Sequence, residues 1–395
     1  MAGIIQRQRP LRVIFAGGGT GGHLMPAVAL ADALCETAPG SRCLFLHASR
    51  DVQRSYSDAL DRFETACLPD LRWQGLVQKL RFGPGVLTAV TDTAEAFRHF
   101  APHALVGLGG SGCAIPVAAA RALNVPTILI ESNAIPGAAV RLLAPWVDSV
   151  QAQWPATKRR LEGAVCRLNG IPVRQRIFQG NRPRARKRFG LSGDRYTLLA
   201  MGGSQGALSL NKTLLATLKD FPLPRRKLQV LHLTGSRHLS EARGFDAHEG
   251  LVYRPVGYLE DMEEAYAAAD LVLCRAGGST LAELTALGKP SVLVPYPHAT
   301  DDHQMANAEA LADRGAAKCV AEPDLSPARL ASLLSTMVEN PRSLSRMGDR
   351  ARRLGSPEAA RTIACELCSM TRGRRTEGMG TTGEGYSQID VSHAA

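Results

Sequence analysis

Along the chain, short and largely apolar runs alternate with longer stretches in which apolar residues recur every three or four positions. Runs of the first kind read as parallel strands buried on both faces, and the second kind as helices laid over them. The segments read as strands fall at 11–16, 43–48, 104–108 and 127–130, then at 196–201, 229–233, 251–256, 271–274 and 291–294, several of them carrying a polar residue such as Arg12, His47, Gln229 or Arg254. Helical spacing predicts helices over 25–35, 114–123, 210–218 and 281–287. Glycine or small polar residues close most of the strands, as at Gly17 to Gly22, Gly109 to Gly112, Gly202 to Gly206 and Ala276 to Ser279. Strand, glycine turn and helix, repeated in two halves, predict an α/β fold of two doubly wound, Rossmann-like domains facing across a cleft. The expected organisation is an N-terminal tail over 1–10, a first domain over 11–178 and a basic linker over 179–194. A second domain over 195–352, a C-terminal helix over 353–370 and a disordered tail over 371–395 complete it.

Length and composition support that picture. A chain of 395 residues, 45% hydrophobic and 21% charged, is enough for two ordinary domains. No apolar run reaches the length of a membrane span, and no signal-peptide core follows Arg7, Arg9 and Arg12. The expectation is a cytoplasmic protein. Nine cysteines without regular spacing read as reduced core residues. Cys365-x-x-Cys368 has no second pair or histidine cluster beside it, so no metal is expected there. The net charge of +11, part of it from residues 182–188 and 372–375, suits an anionic partner. Nucleic acid, an anionic membrane surface or an acidic substrate would each fit. The absence of a helix-turn-helix, zinc-finger or aromatic-plus-basic motif weighs against nucleic acid.

Candidate chemistry concentrates in residues 270–311. Leu271 to Cys274 leads into Arg275-Ala276-Gly277-Gly278-Ser279-Thr280 and then a helical pattern, the arrangement that points backbone N–H groups at an anion. One strand later, His298, Asp301, Asp302, His303, Gln304 and Asn307 follow a carboxyl end, where open α/β sheets bind ligands. The stretch reads as a nucleotide-diphosphate site with a sugar-reading loop beside it. Thr280-x-x-Glu283 also fits a capping box, in which Glu283 would only bond its own helix start. Gly17-x-Gly19-x-x-Gly22 satisfies a dinucleotide fingerprint, and Ser49-Arg50 would suit a 2′-phosphate, so an NADP reading stays open. His23, at the following helix N-terminus, is either a base kept neutral by that position or a structural donor. Asn133 closes a strand, and Arg174 is a phosphate partner or part of the linker. Residues 71–90, with Trp73, Leu76, Phe82 and Leu87 edged by Arg72, Lys79 and Arg81, form either a membrane-facing amphipathic stretch or a helix turned to the core.

Five of these motifs occur together in order: Gly17 through His23, Asn133, Gly202 through Gly206, Cys274 through Glu283, and His298 through Asn307. Together they closely resemble the MurG family of peptidoglycan N-acetylglucosaminyltransferases, over roughly residues 11–365. The resemblance implies a GT-B fold and inverting transfer of GlcNAc from UDP-GlcNAc to lipid I, giving lipid II, without cofactor or metal. By match of position it assigns the donor to Thr20, Gly21, Gly22, Asn133, Arg174, Ser204, Leu259, Gly278, Ser279, Thr280, Leu281, Ala282, Glu283, Gln304 and Asn307. Leu259 would offer its backbone to the uracil, and Glu283 would accept from the ribose hydroxyls. Gln304 and Asn307 would read the GlcNAc hydroxyls, while Ser204, Ser279, Thr280 and Arg174 hold the diphosphate. His23 is the expected base. Implied partners are the lipid I acceptor, the anionic inner-membrane surface and other cell-wall synthesis proteins, with the enzyme peripheral on the cytoplasmic face. Ser132, Ser111 and Ile171 depart from the family pattern, and all three concern the acceptor half or the cleft edge. Three other readings remain beside this one: a transferase for another acceptor, an NADP-dependent oxidoreductase and a nucleotide-sugar sensor without turnover.

Overall fold

The computed structural model describes residues 9–18, 21–47, 57–69, 76–203, 206–220, 227–246 and 250–372, with only the backbone at 21, 57–58, 76–83 and 111. These form two compact units. The first holds the residues up to Ser132, then Pro136–Arg174 and the chain from Glu358 onward; the second holds Asn133–Ile135 and Gln175–Pro357.

In the first unit, seven parallel strands lie in the order β3-β2-β1-β4-β5-β6-β7. They are β1 (Arg12–Ala16), β2 (Arg42–His47), β3 (Glu64–Cys67), β4 (Ala104–Gly107), β5 (Thr127–Glu131), β6 (Ser149–Ala152) and β7 (Cys166–Arg167). Ile14 pairs with Leu44 on one side and Leu105 on the other, and these three share a core with Leu129, Val150, Phe97 and Val117. The helices around this sheet include α1 (Gly21–Thr37), α2 (Leu76–Phe100), α3 (Ala114–Ala122) and α4 (Ala138–Leu143). Helix α1 begins four residues before the predicted start, so Pro26 is its sixth residue and not part of its first turn. The glycine loop is already helical at Gly21, which apolar periodicity cannot register because glycine carries no side chain. Helix α2 has two faces. Ala89, Thr93, Ala96, Phe97 and Phe100 are buried, whereas Leu87 and Val90 are exposed; Trp73 lies outside the described residues.

In the second unit, six parallel strands lie in the order β10-β9-β8-β11-β12-β13. They are β8 (Tyr196–Met201), β9 (Leu228–Leu233), β10 (Val252–Val256), β11 (Leu271–Cys274), β12 (Ser291–Leu293) and β13 (Lys318–Cys319). Around them lie α5 (Arg182–Arg188), α6 (Leu208–Asp220), α7 (Met262–Ala268), α8 (Gly278–Leu287), α9 (His303–Ala312), α10 (Pro327–Glu339) and α11 (Pro341–Leu354). Leu198, Val230, Leu273 and Val292 of the central strands pack with Leu214, Leu330 and Met347.

The basic stretch read as a linker folds into α5 and is neutralised within the second unit. Arg184 pairs with Glu264 and Arg188 with Asp261, both at or beside the start of α7, while Arg182 and Arg186 share Asp270. Arg186 is buried and also donates to the carbonyls of Ser192, Gly193 and Ala268. Much of this charge is therefore structural. After α11 the chain forms α12 (Ala359–Arg372), which belongs to the first unit. Glu366 of α12 accepts from Ser149, Gln151 and Asn169 and pairs with Arg167. Among the described residues, no helix is long and apolar enough to cross a membrane.

Because every strand pairing is parallel, the carboxyl ends in each sheet share one edge. The order of connection reverses at β1 in the first sheet and at β8 in the second. The loops leaving β1 and β4, and those leaving β8 and β11, therefore start from neighbouring strands at the switch point of each sheet, the place where open α/β sheets bind ligands.

Candidate functional site

The second unit's switch point is lined by α8, which follows β11. Its N-cap is Gly277, which has no side chain with which to cap it, and Leu281 N–H is bonded back to the Gly277 carbonyl. Gly278, Ser279 and Thr280 thus form the first turn, three residues earlier than apolar periodicity predicts, and their N–H groups precede the first intrahelical bond. An uncapped first turn at a sheet's carboxyl edge attracts an anion. Leu281 and Ala282 are buried, so their side chains belong to the core and only their backbone is placed to serve a ligand.

The register also decides between the two readings of Glu283. A capping box needs the acidic residue three positions after the N-cap. Glu283 stands six after Gly277, and its Oε2 accepts from the Tyr266 hydroxyl at 2.9 Å. The capping role is removed.

Facing α8 across the switch point is the loop after β8. Gly206 has φ of +77°, and a β-carbon there would fall 2.3 Å from the Thr234 carbonyl oxygen, so the loop and the end of β9 touch through backbone. Ser204 and Gln205 lie outside the described residues. Behind the loop, Asn211 at the start of α6 donates to Thr234 O at 2.8 Å and accepts from His232 Nε2 at 3.0 Å; His232 Nδ1 meets the Tyr253 hydroxyl at 2.8 Å. Burial pushes the His232 pKa down from 6.5 to about 4.

At the carboxyl end of β12, Gln304 Oε1 accepts from Tyr296 N–H at 3.0 Å, which orients a half-exposed carboxamide. The turn before it places Asp301 and Asp302 consecutively in the left-handed region, at φ of +52° and +50°. Backbone of that kind is costly for residues with a β-carbon and is found disproportionately at ligand sites. Asn307 is fully buried. Its Oδ1 accepts from Ala134 N–H at 2.7 Å, and its Nδ2 donates to Asn133 Oδ1 at 3.0 Å and Ala276 O at 3.1 Å. It joins two predicted segments, Asn133 and the approach to α8, with a carboxamide directed inward. Leu259 is half-exposed beside Tyr258, and the following Glu260 carbonyl is held by Arg176 at 2.9 Å.

In the first unit, Gly17 N–H donates to Leu46 O and Gly18 N–H to Gly109 O. A β-carbon on Gly17, at φ of +96°, would lie 2.5 Å from Gly109 O, so the two switch-point loops pack backbone to backbone. Gly21, Gly22 and His23 are the first three residues of α1, and His23 is half-exposed. Thr20 lies outside the described residues, as do Ser49 and Arg50, on which the NADP reading rested. Arg174, half-buried, closes the first unit's middle segment. Of the departures from the family pattern, Ile171 is a buried core residue, and the Ser132 carbonyl holds Trp154 Nε1 at 3.0 Å.

Sequence reasoning missed two residues. Tyr266 is not singled out from the sequence; its ring is buried in the core, and its hydroxyl reaches Glu283. Arg275 had no assigned role. It pairs with Glu322, donates to the carbonyls of Val294 and Pro295 and to Ser209, and lies over the Tyr296 ring, tying β12's end to α6 and β13. Only its place at a strand end hinted at that.

Comparison with known proteins agrees with the fold. The glycosyltransferase family 28 N-terminal domain matches residues 13–152, and the C-terminal domain of the same family matches residues 197–363. A UDP-N-acetylglucosamine–N-acetylmuramyl-(pentapeptide) pyrophosphoryl-undecaprenol N-acetylglucosamine transferase from Syntrophotalea carbinolica is 36% identical, over 89% of this chain and 97% of its own. Its counterpart from Geobacter sp. (strain M21) is 33% identical over 92% of this chain and 97% of its own. The crystal structure of Acinetobacter baumannii MurG superposes with a TM-score of 0.73 at 28% identity, covering 91% of this chain and all of that one. The calicheamicin glycosyltransferase CalG4, at 16% identity and a TM-score of 0.62, shares the fold alone. Matches to both halves in order, and identity above 30% over nine-tenths of the chain, place the chain in glycosyltransferase family 28, within the MurG family of N-acetylglucosamine transferases.

Proposed function

We propose that this protein transfers GlcNAc from UDP-GlcNAc to the muramyl-pentapeptide diphospholipid, lipid I, to make lipid II. The observation that carries the reading is the pairing, at one sheet edge of the second unit, of an uncapped α8 N-terminus with a carboxylate held by Tyr266. It stands in a chain that aligns with transferases of that name over nine-tenths of its length. In this reading the first turn of α8 and Ser204 take the diphosphate, with Arg174 as a further cation. Leu259 backbone meets the uracil, Glu283 accepts from the ribose, and Gln304 reads the sugar hydroxyls. Asn307 serves the sugar through Asn133, whose carboxamide it holds. Thr20, Gly21 and Gly22 complete the donor set.

The reaction forms a bond from an acceptor hydroxyl oxygen to the anomeric carbon and breaks that carbon's bond to the β-phosphate oxygen. The hydroxyl's proton goes to a base, for which His23 is our assignment. Helix-terminal N–H groups, hydroxyls and an arginine stabilise the departing UDP. We assign the first unit to the acceptor and to the anionic cytoplasmic face of the membrane, where the enzyme is peripheral. Exposed Leu87 and Val90 on α2, and exposed Leu142 and Trp146 near Arg141, support contact with lipid. Other cell-wall synthesis proteins are candidate partners there.

The deciding experiment follows UDP release from UDP-GlcNAc, with and without a short-chain lipid I analogue, in EDTA. Release that depends on the acceptor establishes the transferase. Donor binding without release in the presence of acceptor overturns lipid I as the substrate.

A further inference from the structure

We propose that Tyr266 is a positioning residue for donor recognition, fixing the Glu283 carboxylate in the orientation that reads the nucleotide's ribose. The proposal rests on the donor reading above and extends it to a buried residue behind the carboxylate. Tyr266 is 1% exposed, with its hydroxyl 4.0 Å from Met201 Sδ at the end of β8. That hydroxyl donates to Glu283 Oε2 at 2.9 Å. A glutamate on the side of a helix has three rotatable side-chain bonds and points where its partners hold it. Here one of those partners is a rigid phenol whose own ring is packed in the core.

The helix that carries Tyr266 is itself anchored. Arg184 pairs with Glu264 and Arg188 with Asp261 around the start of α7, and Arg186 binds Asp270 and the Ala268 carbonyl at its end. The arginines of α5 therefore hold the platform from which the phenol reaches the carboxylate. A phenol can donate only one proton, and a carboxylate offers about four acceptor positions, so the bond aims Glu283 without occupying it. The two ribose hydroxyls are donors that match such an acceptor. A buried tyrosine that only filled space would have no need of its hydroxyl, and phenylalanine would serve equally.

The test uses the full-length enzyme with UDP-GlcNAc and its 2′-deoxy and 3′-deoxyribose analogues, in wild type, Tyr266→Phe and Glu283→Ala. Phenylalanine fills the same space, and a thermal melt establishes that each variant is folded. Tyr266→Phe is expected to raise the UDP-GlcNAc KM about tenfold, the worth of one hydrogen bond to a charged group, with kcat within about twofold of wild type. The preference for the ribose donor over the deoxy analogues should shrink in the same proportion. If Glu283→Ala abolishes that preference and Tyr266→Phe leaves it intact, the positioning role is overturned and the ribose reading survives. If Tyr266→Phe weakens all donors equally, the role is one of packing and the proposal fails. If Glu283→Ala itself keeps the full preference, the ribose reading falls, and this proposal falls with it.

Discussion

Asn307 donates to the Asn133 side chain at 3.0 Å across 174 residues of sequence. The same carboxamide donates to Ala276 O and accepts from Ala134 N–H, so donors meet oxygens and the acceptor meets a donor throughout. Asn307→Ala leaves the buried N–H of Ala134 and the buried carbonyl of Ala276 without this partner and takes one partner from the half-buried Asn133 side chain. At about 1–3 kcal/mol for each orphaned group, and allowing for partial relaxation, a loss of roughly 2–4 kcal/mol is expected. Asn307→Asp should lose more, because a carboxylate can accept from Ala134 but confronts two oxygens and is buried as a charge. Urea midpoints of the two variants check the order. An aspartate variant as stable as wild type would contradict the hydrogen-bond pattern.

Glu283 lies beyond the capping position, so its truncation should spare α8. Glu283→Ala is expected to stay folded, losing no more than the roughly 1–3 kcal/mol of the Tyr266 hydrogen bond, while weakening UDP-GlcNAc binding about tenfold or more. Titration of the donor into the folded variant decides it. Unchanged affinity would remove Glu283 from the site.

These two residues show how far the sequence could be read. The central strands Leu271–Cys274 and Tyr196–Met201 are apolar throughout apart from Thr197 and were placed to the residue. Helix starts were read late at Gly21 and Gly278, because glycine, serine and threonine carry no apolar period and only the backbone shows that the turn has begun. Short strands such as Ser149–Ala152 escaped notice, since Gln151 in a buried position looks like a break until its hydrogen bonds to Ser149 and Glu366 are seen. In the candidate site, the glycine loops, Glu283 and Gln304 were legible as motifs. The inward direction of Asn307 and the phenol of Tyr266 were not, because orientation is set by neighbours far away in sequence.

His23 offers a kinetic prediction. If it takes the acceptor's proton, His23→Ala should lower turnover by about 10²–10⁴-fold with little change in donor affinity. Its position as the third residue of α1 makes it a first-turn side chain, so the variant should also fold. Acceptor-dependent UDP release at saturating donor measures the effect, and turnover near that of wild type would eliminate the role.

His232 predicts a pH dependence of stability. Asn211 Oδ1 can only accept, and its orientation is fixed because Nδ2 donates to Thr234 O. His232 Nε2 must therefore carry the proton, which leaves Nδ1 to accept from the Tyr253 hydroxyl. A second proton on the ring would turn that acceptor into a donor and place a charge in the core. Burial accordingly depresses the pKa from 6.5 to about 4. Between those values the unfolded chain binds a proton that the folded chain refuses, so stability is highest above the unfolded pKa and falls as the pH drops towards 4. A shift of that size corresponds to about 3 kcal/mol at full effect. His232→Gln keeps one donor and one acceptor but cannot titrate. It should be somewhat less stable than wild type at pH 7.5 and lose less on acidification, narrowing the gap near pH 4.5. Urea unfolding at four or five pH values across that window makes the comparison, and parallel curves for the two proteins would show that His232 is not the group responsible.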